Sequence, residues 1–233
     1  MKRKKSLLVL LITFLAFGNI FAGEIGEQYS VTEGQLDKEI VDYTKAIELN
    51  PKDAEAYRNR GDAYYSKAFF SKGNYDQAIS DYTKAIELNP KDAEAYRMRG
   101  LAYRDKGNPD QAFLDFSKAV ELNPNYDLAY FNRGNAYYAK GSYDQAISDY
   151  NKAIKLGSKF GSVYSCRGDA YYAKGSYDQA ISDYTKAIKL NPKGADVLYI
   201  DKMWGYLHKV EALGYKIRPE ILEEAKKASG RNK

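Results

Sequence analysis

The chain is poor in the residues that most often bind metals or perform catalysis. It has one histidine, His208, and one cysteine, Cys166, among its 233 residues. A single cysteine forms no intramolecular disulfide, so packing must stabilise the fold. A histidine without other ligands nearby gives no metal cluster, and a cysteine without a neighbouring base gives no activated nucleophile. We therefore predict a non-catalytic protein with no metal site and no cofactor.

A large positive charge is also missing once the first residues are set aside. The formal net charge is +5, but four positive charges lie in Lys2–Lys5, before an apolar run at Leu7–Phe17. This order, followed by small residues near Ala22, is typical of a secretory signal peptide. We predict cleavage near Ala22 and a periplasmic or secreted protein without stable membrane insertion. The remaining near-neutral chain lacks the basic excess of nucleic-acid binding, which we do not expect.

Repetition dominates the rest of the sequence. Residues 140–156, KGSYDQAISDYNKAIKL, recur at 174–190 as KGSYDQAISDYTKAIKL, and only Asn151 and Thr185 differ. A preceding segment recurs as AEAYRNRGDAYYSK, AEAYRMRGLAYRDK, DLAYFNRGNAYYAK and GSVYSCRGDAYYAK. Successive units are 34 residues apart, except that the first carries five extra residues at 68–72.

The spacing of apolar residues within each unit predicts helical hairpins. In YDQAISDYTKAI the apolar positions recur every three or four residues, as on one face of an amphipathic helix. Ser142 with Gln145 fits a capping box at the start of that helix, and Asp92 fits the cap of the next first helix. We expect the recurring acidic residues of the second helix to lie on its solvated side. They are Asp81, Asp115, Asp149 and Asp183.

The repeat resembles the tetratricopeptide repeat (TPR) family, whose signature runs W-x2-L-G-x2-Y, then A-x3-F, then P. Tyrosine replaces the signature tryptophan, and arginine replaces the signature leucine. The aliphatic stem of arginine can cover apolar surface while its charged head reaches water. The matching residues of the first unit are Tyr57, Arg60, Gly61, Tyr64, Ala78, Tyr82, Ala85 and Pro90.

This resemblance implies an all-α fold, a right-handed α-solenoid of stacked antiparallel helix pairs with a C-terminal capping helix. We divide the chain accordingly. The expected segments are a signal peptide at 1–22, a poorly defined segment at 23–34, a half repeat at 35–53, repeats at 54–92, 93–126, 127–160 and 161–194, a capping helix at 195–217, and a short helix and tail at 218–233.

In the TPR family the first helices line a concave groove, so the resemblance implies a scaffold that binds a protein or peptide there. Aromatic side chains would anchor the partner, and arginines would bind its acidic or carbonyl groups. The terminal-carboxylate clamp of some members is not reproduced at Asp62, Leu101, Asn135 and Asp169. The predicted binding residues are Arg58, Asp62, Tyr65, Arg97, Arg104, Phe131, Asn135, Tyr138, Asp169 and Tyr172.

Two alternatives remain open at this stage. The chain could self-associate as an envelope assembly factor through its incomplete N-terminal end and the insert that contains Phe69 and Phe70. A cell-wall glycan-related role depends only on the expected export and the aromatic groove. The groove could also be merely a solvated face, since solenoids expose such surfaces whatever binds there.

Overall fold

The computed structural model describes residues 33–71, 73–190 and 196–229. The predicted signal peptide and residues 23–32 lie outside the described residues. Those described contain helices and no strand, which confirms the all-α fold. The helices are α1 (Glu33–Leu49), α2 (Ala54–Ser71), α3 (Asp76–Leu88), α4 (Ala93–Asp105), α5 (Pro109–Leu122), α6 (Asp127–Ala139), α7 (Tyr143–Lys155), α8 (Gly161–Ala173), α9 (Tyr177–Leu190), α10 (Asp196–Ala212) and α11 (Pro219–Ser229).

The helices form two compact units, the first ending at Ala129 and the second beginning at Tyr130. In unit 1, α2 packs on α1 and α3, and α4 packs on α3 and α5. In unit 2, α8 packs on α7 and α9, and α9 also packs on α10 and α11. Within each unit these helices therefore pack mainly against their neighbours in the chain, as stacked repeats do.

Each hairpin depends on a glycine in its first helix. A Cβ atom at Gly134 would lie 2.7 Å from the Tyr150 ring, and one at Gly100 would lie 2.6 Å from the Phe116 ring. Only glycine leaves room for the aromatic ring of the second helix to lie this close to the first helix. The glycine and the aromatic residue of the repeat pattern are therefore packing partners.

The helix caps agree with the sequence in one place and differ in another. The side chain of Asp92 accepts hydrogen bonds from the amides of Glu94 and Ala95, which confirms its predicted cap. The predicted cap at Ser142 is wrong, because its side chain makes no capping hydrogen bond. Instead the Ser142 amide donates to the Tyr137 carbonyl, after Gly141 with a φ of 74°, and thereby closes the preceding helix.

The recurring aspartates of the second helices are buried, so the expectation of a solvated position is wrong. Asp115 accepts two hydrogen bonds of 2.8 Å from Arg99, and its side chain is only 7% exposed. Such a bidentate pair neutralises both charges and satisfies the carboxylate. The signature arginine therefore points at this carboxylate rather than at water. Equivalent pairs are Arg60 with Asp81, Arg133 with Asp149, and Arg167 with Asp183.

The same arginines also bind the preceding repeat. Nη1 of Arg99 donates to the Thr83 hydroxyl at 3.1 Å, and Nη1 of Arg167 donates to the Asn151 side chain at 2.5 Å. The Tyr96 ring lies 5.6 Å from the Arg99 guanidinium, within range of a cation–π contact. Arginine at the signature leucine position thus joins consecutive repeats. Asn151, where the two near-identical segments differ, accepts such a hydrogen bond from Arg167.

The C-terminal helices supply contacts that a further repeat would make. Asp144 binds Lys174, directly after the following first helix, and the next equivalent residue, Asp178, is bound by Arg218 at 2.9 Å. Trp204 and Ile221 are buried against α9 in one apolar cluster. Helices α10 and α11 therefore cover the end of the repeat array.

The five-residue insert lengthens a helix. Helix α2 has 18 residues, whereas the first helix of the next repeat, α4, has 13. The added turn buries Ala68 but leaves Phe70 54% exposed.

Candidate functional site

The predicted binding residues lie on α2, α4, α6 and α8, the first helices of the four repeats. They occupy three positions of the repeat, and their surroundings differ between the two units. The first position holds Arg58, Arg97 and Phe131, the second holds Asp62, Asn135 and Asp169, and the third holds Tyr65, Arg104, Tyr138 and Tyr172.

In unit 1, Arg58 binds the start of the next first helix. Its Nη1 atom lies 3.0 Å from Asp92 and 3.5 Å from Glu94. Asp92 is the residue that caps α4. The charge of Arg58 therefore contributes to the junction between repeats, where the sequence predicted a contact with a partner.

Asp62 lies inside unit 1 and is only 6% exposed. The Tyr82 hydroxyl donates to its Oδ1 atom at 2.8 Å. Burial raises the pKa of the Asp62 carboxyl to about 7, although the Tyr82 hydrogen bond and the charge of Arg58 oppose the rise. This carboxyl changes charge near neutral pH within the interior, rather than on a surface open to a partner.

Arg97 is 1% exposed, which corrects the expectation that its head is available to a partner. Its Nε atom donates to the Tyr126 hydroxyl at 2.5 Å, and the Tyr126 ring centre is 5.5 Å from the guanidinium. Glu94 lies 4.0 Å away. Arg97 is thus a buried structural residue whose charge is balanced within unit 1.

Tyr65 was predicted as an anchor, but it is fully buried. Its hydroxyl donates to Asp105 at 2.6 Å, and Nε of Arg104 donates to the same carboxylate at 2.7 Å. The rings of Tyr75 and Phe69 lie 5.6 and 6.5 Å from the Tyr65 ring. The longer α2 and the following repeat together cover Tyr65, so it cannot anchor a partner.

In unit 2, two predicted residues pack against Tyr150 of α7. Phe131 is 2% exposed, and its ring lies 5.9 Å from the Tyr150 ring, so the expectation of an exposed anchor is wrong. The half-buried Asn135 accepts a hydrogen bond of 2.8 Å from the Tyr150 hydroxyl. Phe131 belongs to the core, and Asn135 lies at its edge.

Asp169 of α8 is surrounded by tyrosines. Its Oδ1 atom accepts hydrogen bonds from the hydroxyls of Tyr184 and Tyr206, the second at 3.4 Å. Burial, followed by the charge of Asp169, raises the pKa of Tyr206 to about 12. The carboxylate and the tyrosines therefore form one electrostatically coupled group.

Tyr172 is half-buried because a residue of α10 covers it. The Tyr206 ring stacks on it at 4.0 Å and 25°, and the Tyr177 ring lies 5.4 Å away. Tyr206 follows Tyr172 by 34 residues, so α10 places a tyrosine at the same repeat position. Part of the Tyr172 ring, predicted as an anchor for a partner, is therefore already covered by other residues of the chain.

Tyr138 is the most exposed of the ten predicted residues, at 36%. Its ring lies 5.5 Å from that of Tyr143, at the start of α7. Partial burial, followed by the nearby charge of Asp169, raises the pKa of the Tyr138 hydroxyl. Among the ten predicted residues, Tyr138 therefore leaves the most aromatic surface available for binding.

The sequence interpretation missed the partners that these residues bind. Tyr75, Tyr143 and Tyr177 each precede or begin a second helix and pack on the tyrosine of their own first helix. The 34-residue spacing between Tyr143 and Tyr177 is the sequence pattern that could have identified these tyrosines as part of the repeat. Their ring contacts with Tyr138 and Tyr172 could be recognised only from the geometry of the helical hairpin.

Catalytic, metal and membrane roles gain no positive support in the part of the chain that the structure describes. Within residues 33–71, 73–190 and 196–229, no three histidine, cysteine or acidic side chains converge on a point where an ion could bind. In the same ranges, no helix combines the length and apolar character needed to cross a bilayer. Cys166 is a half-buried cysteine, and His208 lies beside Glu211 on α10.

Comparison with known protein families identifies the repeat. The profile of the family described as TPR repeat matches residues 31–67, 67–107, 100–141, 134–175 and 168–199. These matches together span more than half of the chain. No curated protein sequence matches the chain significantly.

Solved structures resemble the fold over most of the chain. A crystal structure of MamA is 29% identical with a TM-score of 0.60, and the match covers 72% of this chain and 95% of MamA. YrrB, described as a TPR protein with an unusual peptide-binding site, is 25% identical with a TM-score of 0.58, covering 72% and 84%. TTC0263, a thermophilic TPR protein of Thermus thermophilus, is 23% identical with a TM-score of 0.57, covering 75% and 91%, and supports the fold alone.

Proposed function

Because this chain belongs to the TPR repeat family, we propose that it is a non-catalytic scaffold that binds a protein or peptide segment on its first helices. Of the two units, unit 2 provides the better surface. The first-helix residues of unit 1 are largely engaged by its own side chains, whereas Tyr138 in unit 2 remains exposed.

The observation that carries this proposal is the open Tyr138–Tyr143 pair beside Asp169. Tyrosine offers a large rigid surface with a polar tip, a combination enriched where proteins bind peptides. YrrB, to which this chain is similar, is described as having an unusual peptide-binding site. The likeness supports peptide binding as the shared kind of role, without fixing the ligand.

Selection of peptides on the purified chain tests the proposal. A library of random peptides is selected on the wild-type protein, and enriched peptides are titrated by fluorescence anisotropy. We expect Tyr138→Ala with Tyr172→Ala to weaken binding about tenfold or more, since hot-spot tyrosines contribute about 2 kcal/mol or more. Circular dichroism should report unchanged helicity. Unchanged affinity in a folded double variant would rule out this surface.

We also propose that the protein acts outside the cytoplasm, in the periplasm, cell envelope or exported space. The support is the basic, apolar and small-residue order of residues 1–22, typical of a signal peptide. Expression of the full chain, fractionation and N-terminal sequencing test it. A mature protein that begins at Gly23 in the exported fraction is expected, and an intact chain confined to the cytoplasm would contradict it.

Self-association is a second candidate, favoured by the exposed ring of Phe70 on the extension of α2. Phe69 and Phe70 lie 6.1 Å apart and edge to face, so a second copy would meet an aromatic corner. Light scattering of the chain without residues 1–22, with and without Phe70→Ser, tests this alternative. A mass that stays monomeric at high concentration would exclude it.

A further inference from the structure

Unit 1 contains a pair of tyrosines with an arginine nearby. The rings of Tyr65 and Tyr75 lie 5.6 Å apart. Arg104, from the next repeat, lies close enough that its charge acts on both hydroxyls, and it donates to Asp105 at 2.7 Å. Tyr65 donates to the same carboxylate. Two tyrosines, one guanidinium and one carboxylate therefore form a complete cluster.

Unit 2 repeats the tyrosine pair without that arginine. Tyr138 and Tyr143 occupy the same repeat positions as Tyr65 and Tyr75, and their rings lie 5.5 Å apart. In the following repeat, the position of Arg104 is held by Tyr172, and that of Asp105 by Ala173. Tyr172 stacks on Tyr206 instead. The guanidinium near the pair in unit 1 thus has no counterpart at that repeat position.

A carboxylate is nevertheless close to the open pair. The charge of Asp169 acts on the hydroxyls of Tyr138, Tyr150 and Tyr206. Negative charge beside an exposed aromatic face favours a cation, which the ring attracts through its electron-rich face. Guanidinium suits such a place better than ammonium, because it stacks on rings while it pairs with a carboxylate.

We propose that Tyr138, Tyr143 and Asp169 form a site for an arginine side chain of the bound peptide, with lysine as a weaker substitute. The proposal rests on the proposed function and specifies its partner as a basic peptide segment. The bound arginine would lie near the two tyrosines, as Arg104 does in unit 1, with its charge near Asp169.

Peptides from the selection described above provide the probe. We expect enrichment of arginine, and replacement of that arginine by citrulline, its neutral isostere, should weaken binding to the wild type about tenfold, within the range of a cation–π contact combined with a carboxylate. Replacement by lysine should weaken it less. Asp169→Asn keeps an oxygen that accepts from Tyr184 and Tyr206, and Tyr138→Leu keeps apolar bulk.

The two variants should reduce affinity for the arginine peptide and leave affinity for the citrulline peptide nearly unchanged. Tyr215→Leu and Asp144→Asn are matched controls, because Tyr215 is similarly exposed at 38% and Asp144 is an exposed carboxylate of the same unit. Both controls should keep the wild-type preference for the arginine peptide over the citrulline peptide. Thermal unfolding of each variant establishes that it is folded.

The outcomes separate this inference from the function it rests on. Peptides whose binding is weakened by Tyr138→Ala with Tyr172→Ala, but which lack a basic residue or bind equally well as citrulline versions, would overturn the arginine site and leave the scaffold function intact. A selection that enriches no binding peptide would overturn both. Discrimination that disappears in Asp169→Asn and Tyr138→Leu alone would establish the site.

Discussion

Tyr65 and Tyr138 occupy the same position in two repeats, yet one is in the core and the other faces solvent. Tyr65 is covered by the longer α2 and held by Asp105, whereas Tyr138 keeps 36% of its surface exposed. In unit 1 the side chains predicted to bind a partner mainly hold the repeats together. The difference teaches that a repeat position carries a binding role only where neighbouring repeats leave it uncovered.

The largest expected contrast is between Tyr65→Ala and Tyr138→Ala. Removal of a fully buried ring should lower the free energy of unfolding by about 3–5 kcal/mol. Removal of the exposed ring should cost about 1 kcal/mol or less, while it weakens peptide binding. Urea unfolding followed by circular dichroism measures both. Equal losses of stability would break the comparison between the units.

Arg97→Met should give the next largest effect. The change leaves the Tyr126 hydroxyl without its present partner and leaves Arg58 as the basic residue beside Glu94, so we expect a loss of about 2–3 kcal/mol in unfolding free energy. Arg104→Met, whose side chain is one-third exposed, is the control and should cost about 1 kcal/mol or less. A neutral Arg97→Met would contradict a structural role.

Asp62 should make the stability of unit 1 depend on pH. Burial raises its folded pKa to about 7, above the unfolded value of about 3.9, so the folded state binds the extra proton between these values. Its contribution to stability is therefore present at low pH and falls as pH rises through this window. The groups around it are Tyr82, Arg58, Glu94 and Arg97.

Asp62→Asn should remove that dependence. We expect the difference in unfolding free energy between about pH 5 and about pH 8 to shrink by about 1–2 kcal/mol relative to wild type. Urea unfolding at the two pH values measures it. A difference that stays the same size in the variant would show that Asp62 is not the responsible group.

The smallest expected effect comes from Asn151→Thr, which makes the two repeated segments at 140–156 and 174–190 identical. Thr83 already accepts from Arg99 in unit 1, so threonine at 151 should accept from Arg167 and change stability by about 0.5 kcal/mol or less. Asn151→Ala, which offers no acceptor, should cost about 1 kcal/mol. Equal losses in the two variants would mean that the hydrogen bond to Arg167 contributes nothing.

The repeat pattern predicted the helices well because the glycine, alanine and tyrosine residues that recur in the sequence are the ones that pack together. Gly134 and Tyr150 recur together, and they are in contact. The burial of Asp115 was not predictable from its helix, since the arginine that covers it lies on another helix, 16 residues earlier. The burial of Tyr65 depended on the insert. The sequence gives the length of the insert, but it does not tell that the insert extends α2 over Tyr65.

The binding residues were predicted from the groove positions of the TPR family. Whether each of them is exposed depends on tertiary contacts that the sequence does not show. Tyr172 could be placed on a first helix, but its stacking on Tyr206 required the position of α10. Tyr138 remains a prediction as a binding residue, now on a physical basis of exposure and nearby charge.

The contact of Arg218 with Asp178 determines where this array can be lengthened by engineering. An extra copy of residues 161–194 inserted before residue 161 would pair each new aspartate with a lysine of the following copy, as Asp144 pairs with Lys174. In the lengthened chain the last aspartate of this series would still be bound by Arg218, and α10 and α11 would still cover the last second helix. The chain therefore has an extendable interior and a terminus that must be kept last.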